Sequence, residues 1–293
     1  MKIVRTLSLV LFALCVGCGR DPIIYDSIHE AAANGDLADV KRHLQRGAAV
    51  NARDEEGKTP LMIACAQSSI NMVTFLVEKG ADISLKDKSG KTPVIFAASS
   101  GRQSALEYLI QQGASTRTTD SNGMTPLMHV ISSFTYYTID SVKFLVENGS
   151  DVNSKDKNGK APLMYAAQSG AIDVVNYLVN KGAEINASDN EGNTAIIYAS
   201  IRGDTNIIAS LSVQGADIDA MDNRGNTALS SAVMMFGGKY GVVECLISHG
   251  ADVNTMNKDG ISPLLCAVMF DKLDMVKLLV NNGADIHIKC KGG

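Results

Sequence analysis

The chain has 293 residues, 45% of them hydrophobic and 20% charged, with a formal net charge of −4 and a mean hydropathy of +0.05. That composition excludes a disordered tail, which cannot bury enough apolar surface, and a multi-span membrane protein. Trp is absent and aromatic residues make up only 5%, so the core has to be built from Ala, Val, Ile, Leu and Met.

The N-terminus differs from the rest. Lys2 and Arg5 form a short positive region, and Thr6 to Leu14 form an apolar run too short to cross a bilayer. Small residues follow at Cys15 and Gly17, just ahead of Cys18, in the order of a secretory signal peptide over 1–17. The stretch Leu14-Cys15-Val16-Gly17-Cys18 also resembles the lipobox of bacterial lipoproteins, although Cys15 stands where that pattern usually has Leu. The resemblance implies lipidation at Cys18, with 18–26 as a short tether; ordinary signal cleavage and no processing are the alternatives. Such a Cys usually carries three acyl chains, and stable anchoring takes more than one. Loss of 1–17 would leave 25 basic side chains against 31 acidic, a net charge of −6. With no basic stripe, nucleic acid is not an expected partner.

From there on the chain repeats. Gly-Ala recurs at Gly47, Gly80, Gly113, Gly182, Gly215, Gly250 and Gly283, with Gly149-Ser150 as the deviant copy, at spacings of 33, 33, 36, 33, 33, 35 and 33. A second marker, Asp or Asn followed three residues later by Gly, shares that period at Asp54, Asp87, Asp120, Asp156, Asp189, Asp222 and Asn257. Thr59, Thr92, Thr125, Thr194, Thr227 and Ser262 stand where a hydroxyl caps a helix N-terminus. Pro60, Pro93, Pro126, Pro162 and Pro263 occupy the first helical position, where a missing N–H costs nothing. In the fourth full copy a short helix buries Leu163, Ala166 and Ala167. A turn at Gly170 leads to a second helix, 173–180, which buries Val174, Val175, Leu178 and Val179. Gly182 ends it, because the chain there needs positive φ.

Turn, helix, helix and extended arm at this period resemble the ankyrin repeat, and Thr59-Pro60-Leu61-Met62-Ile63-Ala64 carries its signature. The resemblance implies an all-α solenoid over 27–293, with units 27–53, 54–86, 87–119, 120–155, 156–188, 189–221, 222–256 and 257–290. The first unit lacks the Thr-Pro start and is more charged, as a capping unit should be. Where the family has His after Leu, this chain has Met62, Ile95, Met128, Met164, Ile197, Ser230 and Leu265, so the hydrogen bonds of that His are expected to be absent. Two copies carry insertions between their helices, around 133–138 and 236–240.

Catalytic signatures are missing: no phosphate loop, no H-E-x-x-H, no G-x-S-x-G and no Cys-x-x-Cys. Asp217 to Asp222 resembles a calcium loop only superficially and belongs to the repeat. His287 and Cys290 are too few for a metal site. Cys65 and Cys245 read as core residues, Cys266 and Cys290 as free thiols. The expectation is a non-enzyme without a cofactor.

Function is then left to residues facing away from the stack. In the first helix, position 165 lies on the side opposite Leu163, Ala166 and Ala167. Known ankyrin proteins use that side, the concave surface, and the hairpin tips to hold partners. Along the chain this column reads Glu30, Ile63, Phe96, His129, Tyr165, Tyr198, Ser231 and Cys266. Phe96, His129, Tyr165 and Tyr198, with Arg202 one turn on and Tyr136 and Tyr137 in the longer insertion, are the candidate contacts for a partner protein. The alternative is that these rings stiffen the stack, as a parallel column of Phe75, Tyr108, Phe144 and Tyr177 is expected to do. The sequence thus points to a monomeric, lipid-anchored binding protein of a bacterial envelope, its array facing the periplasm. Gly19 after the modified Cys slightly favours the outer membrane. An immunity-type inhibitor of a toxin or enzyme, and a structural tether without a specific partner, are the other readings.

Overall fold

The computed structural model describes residues 23–67, 69–133, 139–235 and 239–287. Among these residues the fold is sixteen short α-helices with no β-strand; a single isolated bridge pairs Ser188 with Thr194. The chain divides into two compact units, up to Ser121 and from Asn122 onward.

The first unit holds α1 (Ile28–Ala33), α2 (Leu37–Gln45), α3 (Pro60–Gln67), α4 (Ile70–Glu78), α5 (Pro93–Ser99) and α6 (Gln103–Gln111). The second holds α7 (Pro126–Ser132), α8 (Ile139–Glu147), α9 (Pro162–Ser169), α10 (Ile172–Asn180), α11 (Ala195–Arg202) and α12 (Thr205–Val213). It continues with α13 (Ala228–Met234), α14 (Tyr240–Ser248), α15 (Pro263–Met269) and α16 (Leu273–Asn281). Each pair is one repeat; the expected insertions lie between α7 and α8 and between α13 and α14, mostly outside the described residues.

The core is the small-residue and aliphatic stripe the period demands. Leu163, Ala166 and Ala167 of α9 and Val174, Val175 and Leu178 of α10 are at most 2% exposed. Burying one such branched side chain stabilises the fold by about 1.5–3 kcal/mol. Gly182 follows α10 with a φ of 87°, as the sequence requires. Hairpins of successive repeats are joined by backbone bonds: Asn190 N–H to the Asn158 carbonyl at 2.8 Å and Asn223 N–H to that of Glu191 at 2.8 Å, with Lys88 N–H to Glu56 at 3.0 Å in the first unit.

The helix starts correct two expectations. The bonds of the missing His are not all lost. At the third helical position the Met62 and Met128 sulfurs and the Ser230 hydroxyl accept the N–H of Thr59, Thr125 and Thr227, at 3.3, 3.5 and 2.9 Å. A thioether is a weak acceptor, but it has the reach of the lost ring. Nor do all the threonines cap. Thr59, Thr125, Thr227 and Ser262 accept an N–H from their own helix. The hydroxyls of Thr92 and Thr194 are buried and unbonded. These are the copies with Ile95 and Ile197 at that position, side chains with no acceptor to return.

The capping unit is closed by charge. Asp39 of α2 stands in the column that holds Met72, Val174, Ile207 and Met275 in other repeats, and like them it is buried. Its carboxylate accepts the N–H groups of Ile24 and Tyr25, both at 3.0 Å, so the chain before α1 is strapped across the helix. Burial alone would raise its pKa, but those two N–H groups, Arg42 and His43 hold it below the usual carboxylate range. The array therefore reaches back to Ile24, into the stretch expected as tether.

Candidate partner-binding residues

In the two middle repeats the hairpin Asp builds its own turn. Asp189 Oδ1 accepts the N–H of Glu191 and Asn193 at 2.9 and 2.8 Å, and Asp156 Oδ1 accepts those of Asn158 and Lys160 at 2.9 and 2.8 Å. The second oxygen takes a phenol. Tyr165 donates to Asp156 Oδ2 at 2.7 Å, and Tyr198 to Asp189 Oδ2 at 2.6 Å. Nine residues separate hairpin and helix partner in both repeats, so α9 and α11 present the same device.

Lys160 joins the two. Its Nζ lies 4.9 Å from the Tyr165 ring centre and 4.0 Å from that of Tyr198, a cation over two aromatic faces. Burial pulls the Lys160 pKa below that of a free lysine, against the pull of Asp189, Asp156 and Glu191. Burial and then the Asp189 carboxylate push the Tyr198 phenol above its ordinary value, so it stays a donor. Both rings are only half-buried. The cluster is aromatic, held at both ends and partly open to solvent.

Phe96, in the first unit, is also half-buried, with Lys58 of the preceding hairpin 5.9 Å above its ring. It borders an open cavity of about 480 Å³ walled by Glu55, Glu56, Asp87 and Lys88. Having no hydroxyl, it leaves Asp87 to Ser89 and Lys91.

The other candidates fall elsewhere. His129 is 8% exposed, against the expectation that its column faces outward, whereas the smaller Ile63 and Ser231 of that column are half-buried, so its burial is local to α7. Cys266, in the same column, is buried as well. Arg202 is exposed but reaches back one repeat, donating to the Gln168 carbonyl at 3.1 Å and covering Gly170. Tyr136, Tyr137 and Cys18 lie outside the described residues. In the second-helix column Phe75 and Tyr177 are half-buried and carry Lys79 and Lys181 over their rings at 5.6 and 5.5 Å.

Arg202 belongs to a set that the sequence reading missed. Arg102 donates to the Ala66 and Gln67 carbonyls, Lys239 to those of Ile201 and Arg202, and Lys272 to those of Val233 and Met235. Each cation caps the C-terminal end of the previous repeat's first helix, where the dipole favours positive charge. The legible signal was a basic residue recurring at the interhelical turn.

Among the described residues no group of three or more His, Cys, Asp or Glu side chains is placed to hold a metal ion, and no helix is long and apolar enough to cross a membrane. Cys65, Cys245 and Cys266 are free thiols, and burial raises the pKa of each; Cys290 lies outside the described residues.

Known proteins share this repeat. The chain is 41% identical over 58 residues to an acyl-CoA-binding domain-containing protein 4 of Oryza sativa subsp. japonica, covering 20% of this chain and 17% of that protein. It is 48% identical over 52 residues to the human DNA-binding protein RFXANK, covering 17% of this chain and 20% of that protein. The matches thus span at most a fifth of either relative. The family model for ankyrin repeats, in three copies, matches residues 28–120, 107–189 and 196–290. Nearly all the described residues fall inside those matches, and the chain belongs to the ankyrin-repeat family.

Proposed function

We propose that this chain is a non-catalytic module that binds a partner protein, with Tyr165, Tyr198 and the adjoining hairpins as one contact patch and Phe96 with its cavity as another. Ankyrin repeats mediate protein–protein interaction. The observation that carries the assignment to these residues is the clamped pair of phenols. Tyr165 and Tyr198 are tied to Asp156 and Asp189 and share Lys160, so a partner would meet rings already ordered. Pre-ordered aromatic side chains lose little entropy on binding and are typical interface anchors. One relative's name speaks of DNA, but that match covers a fifth of that protein, and the net charge of −4 here disfavours a phosphate backbone.

The same bonds favour a second reading, in which the rings only stiffen the stack. In-cell cross-linking and mass spectrometry separate the two. Changing Tyr165, Tyr198 and Phe96 together to Ala should remove one defined neighbour from the wild-type set. An unchanged set would favour a structural tether and defeat the proposal.

The module is further proposed to be held in a bacterial envelope by lipid at Cys18, facing the periplasm. Support comes from Lys2 and Arg5, the apolar run to Leu14 and the small residues before Cys18. Radiolabelled palmitate should enter the wild-type chain and be absent from Cys18→Ala; label retained by that variant, or missing from both, would refute it.

A further inference from the structure

Lys160 occupies a place built for a cation but is itself a poor occupant of it. Its Nζ lies over the faces of Tyr165 and Tyr198, 4.9 and 4.0 Å from their centres. Both phenols are tied back, to Asp156 and Asp189, so the rings keep their places whatever lies against them. Asp156, Asp189 and Glu191 draw positive charge to the spot, yet burial outweighs them and penalises the charged form of Lys160. The ammonium donates to the neutral side chain of exposed Gln168 at 2.5 Å. Lys58 covers Phe96 in the same register, hairpin lysine over the next repeat's ring, but it also pairs with Glu56. An ammonium is a compact, strongly hydrated charge on a flexible stem. A guanidinium is planar, more weakly hydrated and stacks on aromatic faces, so it loses less when enclosed between rings.

We propose that the faces of Tyr165 and Tyr198 bind an arginine side chain of the partner protein, which takes the place that Lys160 holds in the free chain. The rings are half-exposed, so the guanidinium enters from solvent and stacks on them as a cation over two aromatic faces. Lys160 then swings out on its four-carbon stem and regains the hydration that burial denies it. The three carboxylates stay where they are and now face the incoming charge. A partner lacking arginine meets rings that Lys160 already covers, so the lysine also serves as a device against wrong partners. This inference rests on the reading of Tyr165 and Tyr198 as a contact patch and supplies the chemistry of what they contact.

The test is an NMR titration of the full chain with N-acetyl-arginine methylamide, read on the Tyr165 and Tyr198 ring resonances. Lys160→Asn vacates the rings, and the same hairpin position already carries Asn193 and Asn226 in the next two repeats. That variant should bind the probe about tenfold more tightly than the wild type does. It should prefer the probe about tenfold over capped citrulline, which has the shape without the charge, and should bind capped lysine less well. Adding Tyr198→Ala should abolish the gain. If Lys160→Asn melts below the wild type, Lys160→Ala takes its place. Equal binding by wild type and variant, citrulline or lysine bound as well as arginine, a gain that survives Tyr198→Ala, or no binding at all would each overturn the proposal. The probe needs no partner, so the titration fails only if the arginine site is wrong, whereas an unchanged cross-linked set defeats the contact patch.

Discussion

The carboxylate of Asp219 accepts the backbone N–H of Asp252, 33 residues on, at 3.0 Å. Asn153, Asn186 and Asn254 hold the same place in their repeats, where each accepts one N–H and donates its amide to the carbonyl of Gly182, Gly215 or Gly283. Asp219 has no proton for that second bond. Burial, then the nearby Asp252 and Asp217, raise its pKa above the aspartate norm, although the Asp252 N–H pulls the other way. A raised folded pKa means stability that is complete below the unfolded value and lost as pH rises through the folded one. Asp219→Asn should therefore raise the melting temperature at pH 7, by about 2–4 °C if it restores one hydrogen bond of about 1 kcal/mol. The gain should shrink toward zero below about pH 4, where the wild-type acid is protonated. Thermal melts across that range check it; a gain independent of pH would mean that charge at Asp219 is irrelevant.

The threonine caps predict opposite signs for one substitution. Thr92→Val and Thr194→Val remove buried, unbonded hydroxyls and keep the shape, and should stabilise by about 1 kcal/mol each. Thr125→Val removes an acceptor bonded to Met128 N–H at 3.3 Å and should cost about 1 kcal/mol. Urea melts of the three variants decide it; a common sign would refute the difference.

How much of this was legible depends on distance along the chain. The Asp-Gly hairpins, the helix starts at Pro and the exit at Gly182 are set within a few residues, so spacing revealed them. The Asp156–Tyr165 and Asp189–Tyr198 pairs also repeat at one separation and were there to be read. The strap on Asp39 was not, because it needs the chain to fold back from Ile24. Arg202 looked like a free hot spot for the same reason: its carbonyl partner, Gln168, sits one repeat away. For His129, helical phase gave a direction along the column but not the local burial that the folded chain imposes.

Tyr198 lets ring and hydroxyl be tested apart. Tyr198→Phe loses the 2.6 Å bond to Asp189, which keeps the N–H groups of Glu191 and Asn193. The cost should be about 1.5 kcal/mol, at the low end for a charged acceptor because the ring is half-exposed. The Phe face still lies against Lys160, so capture of the partner should persist. Tyr198→Ala removes the face too and should abolish capture. Pull-downs with both variants, matched for folded protein by circular dichroism, read this out. Loss of capture in Tyr198→Phe alongside retention in Tyr198→Ala would remove the ring from the binding patch.

Two glycines of nearly equal φ separate backbone strain from crowding. Gly182 has a φ of 87° and open space around the position of an added Cβ. Gly192, with a φ of 86°, would put a Cβ 2.6 Å from the backbone nitrogen of Asn223, in the hairpin of the next repeat. That nitrogen is already committed to the Glu191 carbonyl at 2.8 Å, so it cannot withdraw without breaking the hairpin ladder. Gly182→Ala should therefore cost only the left-handed conformation, about 1–2 kcal/mol. Gly192→Ala adds displacement of the ladder and should cost at least about 1 kcal/mol more, within the range of strained-backbone substitutions. Hydrogen exchange at the Asn223 amide gives the local reading: faster in Gly192→Ala and unchanged in Gly182→Ala. Equal destabilisation with no change at Asn223 would mean that hairpin contacts contribute little to holding successive repeats together.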